Sequence, residues 1–349
     1  MIRNNLSLKF TIKLANVNKY MNNYINNNIK KEEWINDPKE GLMLMKCFKK
    51  IKLLMRPQIG QNISQLFNLD FLDLSEYRYA DDNDIINLTN ITHLFLTDIT
   101  NITDNGISNL TNLTQLDIWN DKTLTDNSIK LLTKLKILNM YDNPNITELS
   151  LHKLTNLKTL NLRNNKKITN NDIYKMTQLI NLTLTNNVSI TDFGLSHLTN
   201  LEILDLFNNQ TITNDGIKNL TNLIELNLHD TIITDRGLLN LTNLEYLDIR
   251  DNNNITNKCV MRLTNLKNIN LHGNTIITNE TLKYLTNLTL LTLYDNNTIT
   301  DDGLTSLSKL VSIDLKHNKV ITPKKVIELL SKNIQVNDYL SETISTIQF

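Results

Sequence analysis

Trp119, Tyr141, Arg163, Thr185, Phe207, His229, Arg250, His272, Tyr294 and Lys316 follow one another at 22 residues, with a single step of 21 between His229 and Arg250. Aromatic and cationic side chains are the types that concentrate binding energy at interfaces. The whole chain holds only 10 Tyr, 8 Phe and 2 Trp, so their return in one column marks a candidate binding stripe. Two positions before the stripe, short polar residues recur, among them Asp117, Asp205 and Asp248, which would supply charge complementarity beside it. Large side chains that merely cover a sheet face would give the same column. Loss of binding without loss of fold on substitution separates the two readings.

Reaction chemistry is scarce by comparison. The His residues stand at 93, 152, 197, 229, 272 and 317, and only His229 and His272 share a column. These two are two periods apart, about 10 Å at the spacing of neighbouring strands, too far to share one metal. No Cys-x-x-Cys pair, phosphate-cradling Gly loop or nucleophile elbow occurs. "DNNTITDDG", Asp295 to Gly303, has the look of a calcium loop, but its Asn296 and Ile299 belong to repeating columns. A catalytic thiol would need Cys47 or Cys259 to be exposed and activated. Lys46, Lys49, Lys50, Lys52 and Arg56 lie on one predicted helix without an aromatic stacking surface, which does not favour nucleic acid. The expectation is a non-enzymatic binding protein with no cofactor and no metal.

Two cysteines far apart fit a reducing compartment. Asn and Lys interrupt every apolar run in the first 30 residues, and no apolar stretch of about 18 residues occurs, so a cytoplasmic monomer that neither enters nor spans a membrane is expected. N-x-[ST] at Asn112, Asn145, Asn181 and Asn287 is then a by-product of the recurring "LTNLT". Heavy Asn, Ile and Lys usage fits codon bias, which lowers the weight of any single Asn or Lys. Residues 1 to 65 hold 12 Lys/Arg against 4 Asp/Glu, or +8, leaving 24 against 32, or −8, for the remainder. The basic head reads either as a site for an acidic partner or as Lys-rich solvated faces.

The elements that position the stripe follow from the period. Starts at 66, 88, 110, 132, 154, 176, 198, 220, 241, 263, 285 and 307 give units such as "LTNLEILDLFNNQTITNDGIKN", Leu198 to Asn219, with apolar residues at positions 1, 4, 7, 9, 15 and 20. Positions 7 and 9 alternate with polar residues, as a strand with one buried face requires. At position 12 stand Asn143, Asn165, Asn187, Asn209, Asn252, Asn274, Asn296 and Asn318, whose amides can satisfy backbone groups at a sharp inward turn. "ITDxG[IL]" after it supplies a cap for a short helical turn, with Gly or, once, Cys259 as the small residue. No single unit can bury its apolar stripe, but stacked neighbours can.

The pattern resembles the leucine-rich repeat family, L-xx-L-xx-L-x-L-xx-N. That resemblance implies an α/β fold, a curved horseshoe solenoid with a parallel sheet on its concave face, and a protein partner held there. About 12 repeats fill residues 66–322. Residues 1–65 and 323–349 are expected to be helical caps. Asp37-Pro38-Lys39-Glu40 starts one helix, with Leu44, Phe48, Ile51 and Met55 on a single face, and Thr322-Pro323 starts the other.

The head raises a second resemblance. Leu6, Phe10, Leu14, Val17, Met21 and Tyr24 have helical spacing, and "LSLKFTIKLANVNKYMNNYIN", continued through Trp34, resembles the second half of an F-box. The family's L-x-x-L-x-x-V-N/S-K-x-[FWM] run, followed by Ile and then Trp, is matched by Leu14, Val17, Asn18, Lys19, Met21, Ile25 and Trp34. By resemblance, Leu14, Val17, Lys19, Met21, Ile25 and Trp34 would touch the adaptor of a cullin-type ubiquitin ligase, and the repeats would hold its substrate. The family's leading LPxE helix has no counterpart before Leu6, so the segment is a partial or degenerate F-box. Strict units beginning "LTNL" are also similar to internalin-type adhesion repeats and to phosphatase-regulating leucine-rich proteins, plain scaffolds with no ubiquitin link. The absence of a leader argues against the adhesion version.

Overall fold

The computed structural model describes residues 32–35, 38–39, 52–55, 63–75 and 79–337, the strands at 32–35 and 52–55 by their backbone. Leu14, Val17, Lys19, Met21 and Ile25, with Cys47, Leu44, Phe48 and Ile51, lie outside the described residues. The chain divides into two compact units, Met1–Leu157 and Lys158–Phe349. The division falls inside the array that the period marks as one block.

In the first unit β1 (Glu32–Ile35), β2 (Lys52–Met55), β3 (Leu69–Asp73), β4 (His93–Phe95), β5 (Gln115–Asp117) and β6 (Ile137–Asn139) pair parallel in chain order. In the second, β7 (Thr159–Asn161), β8 (Asn181–Thr183), β9 (Ile203–Asp205), β10 (Glu225–Asn227), β11 (Tyr246–Asp248), β12 (Asn268–Asn270), β13 (Leu290–Thr292), β14 (Ser312–Asp314) and β15 (Gln335–Asn337) do the same. Register is set by the central Leu of each rung: Leu94, Leu116 and Leu138 align in one unit, Leu204, Leu226 and Leu247 in the other. Those side chains point inward, and the residues on either side of them point to solvent.

Beneath the strands, Leu110, Leu113, Leu116, Ile118, Leu124 and Ile129 of one repeat are all fully buried. The strand exit turns through a left-handed residue, φ 49–55° at Asn120, Asp142, Asn164, Asn186, Asn208, Asp230, Asp251 and Asp295, with Gly273 taking the same place at 62°. Asn and Asp tolerate that conformation better than other side chains. A helical turn of four residues follows, such as Asp104–Ile107 with Thr103 as its N-cap.

Three hydrogen-bond ladders tie each repeat to the next. In the buried one, Asn187 donates Nδ2 to the carbonyls of Leu162 and Asn165 at 3.0 and 2.9 Å and accepts the N–H groups of Ser189 and Ile190 at 3.0 Å. Asn209, Asn274 and Asn296 repeat the arrangement, while Asn143, Asn165, Asn252 and Asn318 make its inner bonds with local variation. The second runs through the Asn of "LTN": Asn112, Asn200, Asn222, Asn243 and Asn265 each donate to the carbonyl of a Thr in the preceding repeat at 2.8–3.0 Å. Codon bias accounts for none of these bonds, so these Asn residues carry structure. In the third, the N-cap Thr donates both N–H and hydroxyl to the acid opening the previous helical turn, as Thr213 does to Asp192 at 2.8 and 2.6 Å. Thr125 to Asp104 and Thr322 to Asp301 are further examples.

That third ladder explains the glycine column. A Cβ at Gly106, Gly194, Gly216 or Gly303 would stand 2.4–2.5 Å from the side-chain oxygen of the acid or amide one repeat earlier. Where the column holds Ser128 or Thr281, the hydroxyl donates to that oxygen, on Asp104 and Asn257 respectively.

Asp121 stands in the buried Asn column, with no exposed surface. Its Oδ1 accepts from the N–H of Thr123 and of Leu124, both at 2.8 Å, but an ionised carboxylate has nothing to donate to the preceding repeat. Burial pushes its pKa above the ordinary 3.8, against the pull of those N–H groups. The folded chain therefore holds this proton more tightly than the unfolded one. Its stabilising contribution is full below 3.8 and is lost as pH rises through the higher folded value. Asp121→Asn is expected to remove that acid-side slope and to raise stability at neutral pH by about 1–2 kcal/mol. Urea midpoints of both proteins at pH 4 and pH 7 measure it.

Beyond Glu32–Ile35, which is strand β1 inside the expected helical cap and carries Trp34, two further segments differ from the sequence expectation. Lys52–Met55, read as the end of a helix, is strand β2, and Met55 is therefore not on a helical face. Gln335–Asn337 adds β15 after the C-terminal helix Pro323–Ser331. Both strands pair backbone groups of the neighbouring rung that a helix cannot pair. The helix itself starts as expected, on Thr322 as N-cap with Pro323 behind it.

Candidate functional site

The solvent-facing side of the strands in each unit carries the candidate stripe. In the first unit the rings of Trp119 and Tyr141 stack at 5.3 Å and 15°. Trp119 is 39% exposed, and Tyr141 is half-buried beside it. On earlier rungs Phe71 packs against Phe95 at 5.1 Å and against His93 at 6.2 Å. This group lies outside the stripe column, at strand positions 6 and 8 of its repeats. Phe71 in "DFLDL" and, one repeat on, His93 and Phe95 at alternating positions in "HLFL" are the signal that could have shown it.

In the second unit Phe207 stacks on His229 at 4.5 Å. His272 meets Tyr294 edge-on at 4.4 Å, and Tyr294 meets His317 at 4.9 Å. Between these groups Arg250 does not project freely. Its Nε lies 2.9 and 3.1 Å from the two oxygens of Asp248, and a terminal nitrogen lies 2.8 Å from Oδ2. Asp248 is 1% exposed and also takes the amide of Asn270 at 3.2 Å. Burial and the Asp248 charge push the Tyr246 phenol beside them up to about 12. Arg163, Phe207, His229, His272, Tyr294 and Lys316 are half-buried, because large side chains one rung apart shield one another. Thr185, in the same column, is fully buried and bonds Asp205 at 3.0 Å.

The acids beside the stripe have internal work. Asp117, Asp205 and Asp248 each accept the N–H of the stripe residue two positions on, Trp119, Phe207 and Arg250, at 2.9–3.0 Å. Asn139, Asn161, Asn227 and Asn270 do the same for Tyr141, Arg163, His229 and His272. These are Asx-turns that fix the strand exit and aim the large side chain. The second oxygen of Asp117 takes the Asn139 amide at 2.8 Å, and burial raises its pKa. Their role in the structure is positioning the stripe, which column composition alone does not reveal.

Cys259 is 2% exposed, and burial pushes its thiol up to about 12, so the sulfur is protonated and packed in the glycine column. In the stretch resembling a calcium loop, Asn296 and Asp301 spend their oxygens on the ladders. Among the described residues no group of three or more His, Cys, Asp and Glu could hold a metal ion. No helix among them is long and apolar enough to cross a membrane.

No protein-family model matches the chain. No curated protein matches it either. Solved structures do. An internalin (inlF) from Listeria monocytogenes is similar at 27% identity and TM-score 0.55, over 86% of this chain and 88% of that one. Each unit is a leucine-rich repeat solenoid. A chain of the Toll–Spatzle complex of Drosophila is similar at 17% identity and TM-score 0.54, over 83% of this chain and 43% of that one. A chain of the Rad7–Elc1 complex of yeast is similar at 16% and 0.55, over 95% and 92%. At those two identities the likeness concerns the fold alone. In leucine-rich repeat terms, the stripe lies just past each strand and the ladders run through the turns behind it.

Proposed function

We propose that this chain is a non-enzymatic interaction scaffold that holds a protein partner against the solvent-facing side of its strands. The observation that carries this reading is the exposed Trp119 stacked on Tyr141, held by an Asx-turn on a face with no core of its own. Rigid aromatic rings of this kind are the usual centres of binding energy. The neighbours support it by analogy, since the yeast and Drosophila structures are complexes with Elc1 and Spatzle. Changing Trp119, Tyr141 and Phe207 together to Ser is expected to weaken partner binding more than about 100-fold with the urea midpoint within experimental error. Affinity purification followed by mass spectrometry measures it. Unchanged recovery of every partner would sink the proposal.

The finer reading makes the scaffold a substrate receptor of a cullin-type ubiquitin ligase, with Leu14, Val17, Lys19, Met21, Ile25 and Trp34 on the adaptor. It rests on the F-box resemblance of those residues. Purification of the chain with and without residues 1 to 31 keeps β1 and decides the matter. Adaptor and cullin lost together on truncation support the receptor, whereas their absence from both samples leaves a plain scaffold.

A further inference from the structure

The ring-lined strand face of the second unit has a charge imbalance that selects among partners. Alongside the row His229, Arg250, His272 and Tyr294, the left-handed exit residues are Asp230, Asp251, Gly273 and Asp295. Asp230 and Asp295 are exposed and make no ion pair with a described residue, and Glu225 on β10 is likewise exposed and unpaired among them. Asp251 is 60% exposed and touches only His229, at 3.1 Å. Arg250, the one Lys or Arg in that row from β9 to β13, is already neutralised by Asp248. Carboxylates that serve the fold are bonded internally, as Asp205 and Asp248 are, so Asp230, Asp295 and Glu225 are charges that the fold does not use, while Asp251 bonds a ring of the same face.

Ring faces attract cations through their quadrupole, and unpaired carboxylates beside them do the same by charge. One rung separates Asp230 from Asp251 and two separate Asp251 from Asp295, about 5 and 10 Å. Side chains spaced along an extended segment can meet such a row. An anionic partner would be repelled along its length.

We infer that this face receives an extended protein segment bearing Arg or Lys side chains, which place their cations over the Phe207–His229 and His272–Tyr294 rings and against Asp230, Asp251 and Asp295. The inference rests on the scaffold reading and adds the chemical class of the partner.

The test uses the full chain and fluorescein-labelled peptides of repeating Gly-Arg-Ser-Arg, with the Arg replaced by citrulline or by Glu as controls, read by fluorescence anisotropy. The Arg peptide is expected to bind, and raising NaCl from about 50 to about 300 mM should weaken it. Binding should fall about tenfold in Asp230→Asn/Asp251→Asn/Asp295→Asn, and again in Phe207→Ser/Tyr294→Ser. Asn already occupies the same left-handed column at Asn164, Asn186 and Asn208, so the triple variant keeps its fold. Removing the same charge from helical turns, with Glu148→Gln/Glu280→Gln/Asp302→Asn, should change binding less than about twofold. Equal binding of the citrulline peptide, or equal weakening in the helical-turn variant, overturns the inference. If the Arg peptide fails while Trp119/Tyr141/Phe207 substitution still abolishes partner capture, the scaffold stands and only its cationic partner class falls. If that substitution changes neither, the scaffold itself falls.

Discussion

Asn187→Leu is expected to lower the stability of the chain by about 4 kcal/mol, read as a fall in the urea midpoint. The side chain has no exposed surface and makes four hydrogen bonds. Leucine fills a similar volume but offers none of them. The carbonyl of Leu162 keeps a second partner in the N–H of Asn165. The carbonyl of Asn165 loses the Asn187 amide and the N–H of Ile190 loses its acceptor, in a place that water does not reach, and each such loss costs about 1–3 kcal/mol. Asn200→Leu is the matched control. That amide donates to the carbonyl of Thr177 at 2.8 Å, but on an exposed edge. Water replaces it, so the cost there should be about 1 kcal/mol or less. Similar losses at both positions would show that burial is not what gives the inner ladder its value.

Gly216→Val is expected to cost about 3 kcal/mol, because the new Cβ would stand 2.4 Å from Oδ1 of Asp192 and 3.0 Å from Cγ2 of Ile212. Asp192 cannot simply swing aside. Its two oxygens hold the N–H and hydroxyl of Thr213, which caps the next helical turn. Gly216→Ser should cost less than half as much, since a hydroxyl in this column bonds the acid of the preceding repeat, as Ser128 does with Asp104. In an Asp192→Ala background the penalty of Gly216→Val should shrink by at least about 1 kcal/mol, a coupling that a double-mutant cycle in urea measures. Additive losses would place the cause elsewhere than in this contact.

Both expectations rest on contacts made 21 to 25 residues along the chain, and that separation marks the boundary of what could be read beforehand. Columns 1, 4, 7, 9, 15 and 20 were legible because burial selects Leu and Ile wherever a side chain meets the core, and the period shows the selection repeating. The inner Asn column was legible for the same reason, in that an amide recurs where a turn enters the interior. The outer Asn of "LTN" was not, because an exposed Asn that bonds a carbonyl and one that bonds water look alike in a sequence. Asp117, Asp205 and Asp248 looked like surface charge beside a binding stripe, and only the turn geometry shows them aiming Trp119, Phe207 and Arg250.

By itself the sequence determined the repeat length, the buried columns, the parallel strands and the row of large side chains beside them. Each of these follows from one residue type answering one local environment again and again. Tertiary structure decided which polar side chains are bonded within the fold and which are left facing solvent. The reason is that a carboxylate or amide has the same composition in both roles, and its role is set by whether the next repeat brings a donor or acceptor within about 3 Å.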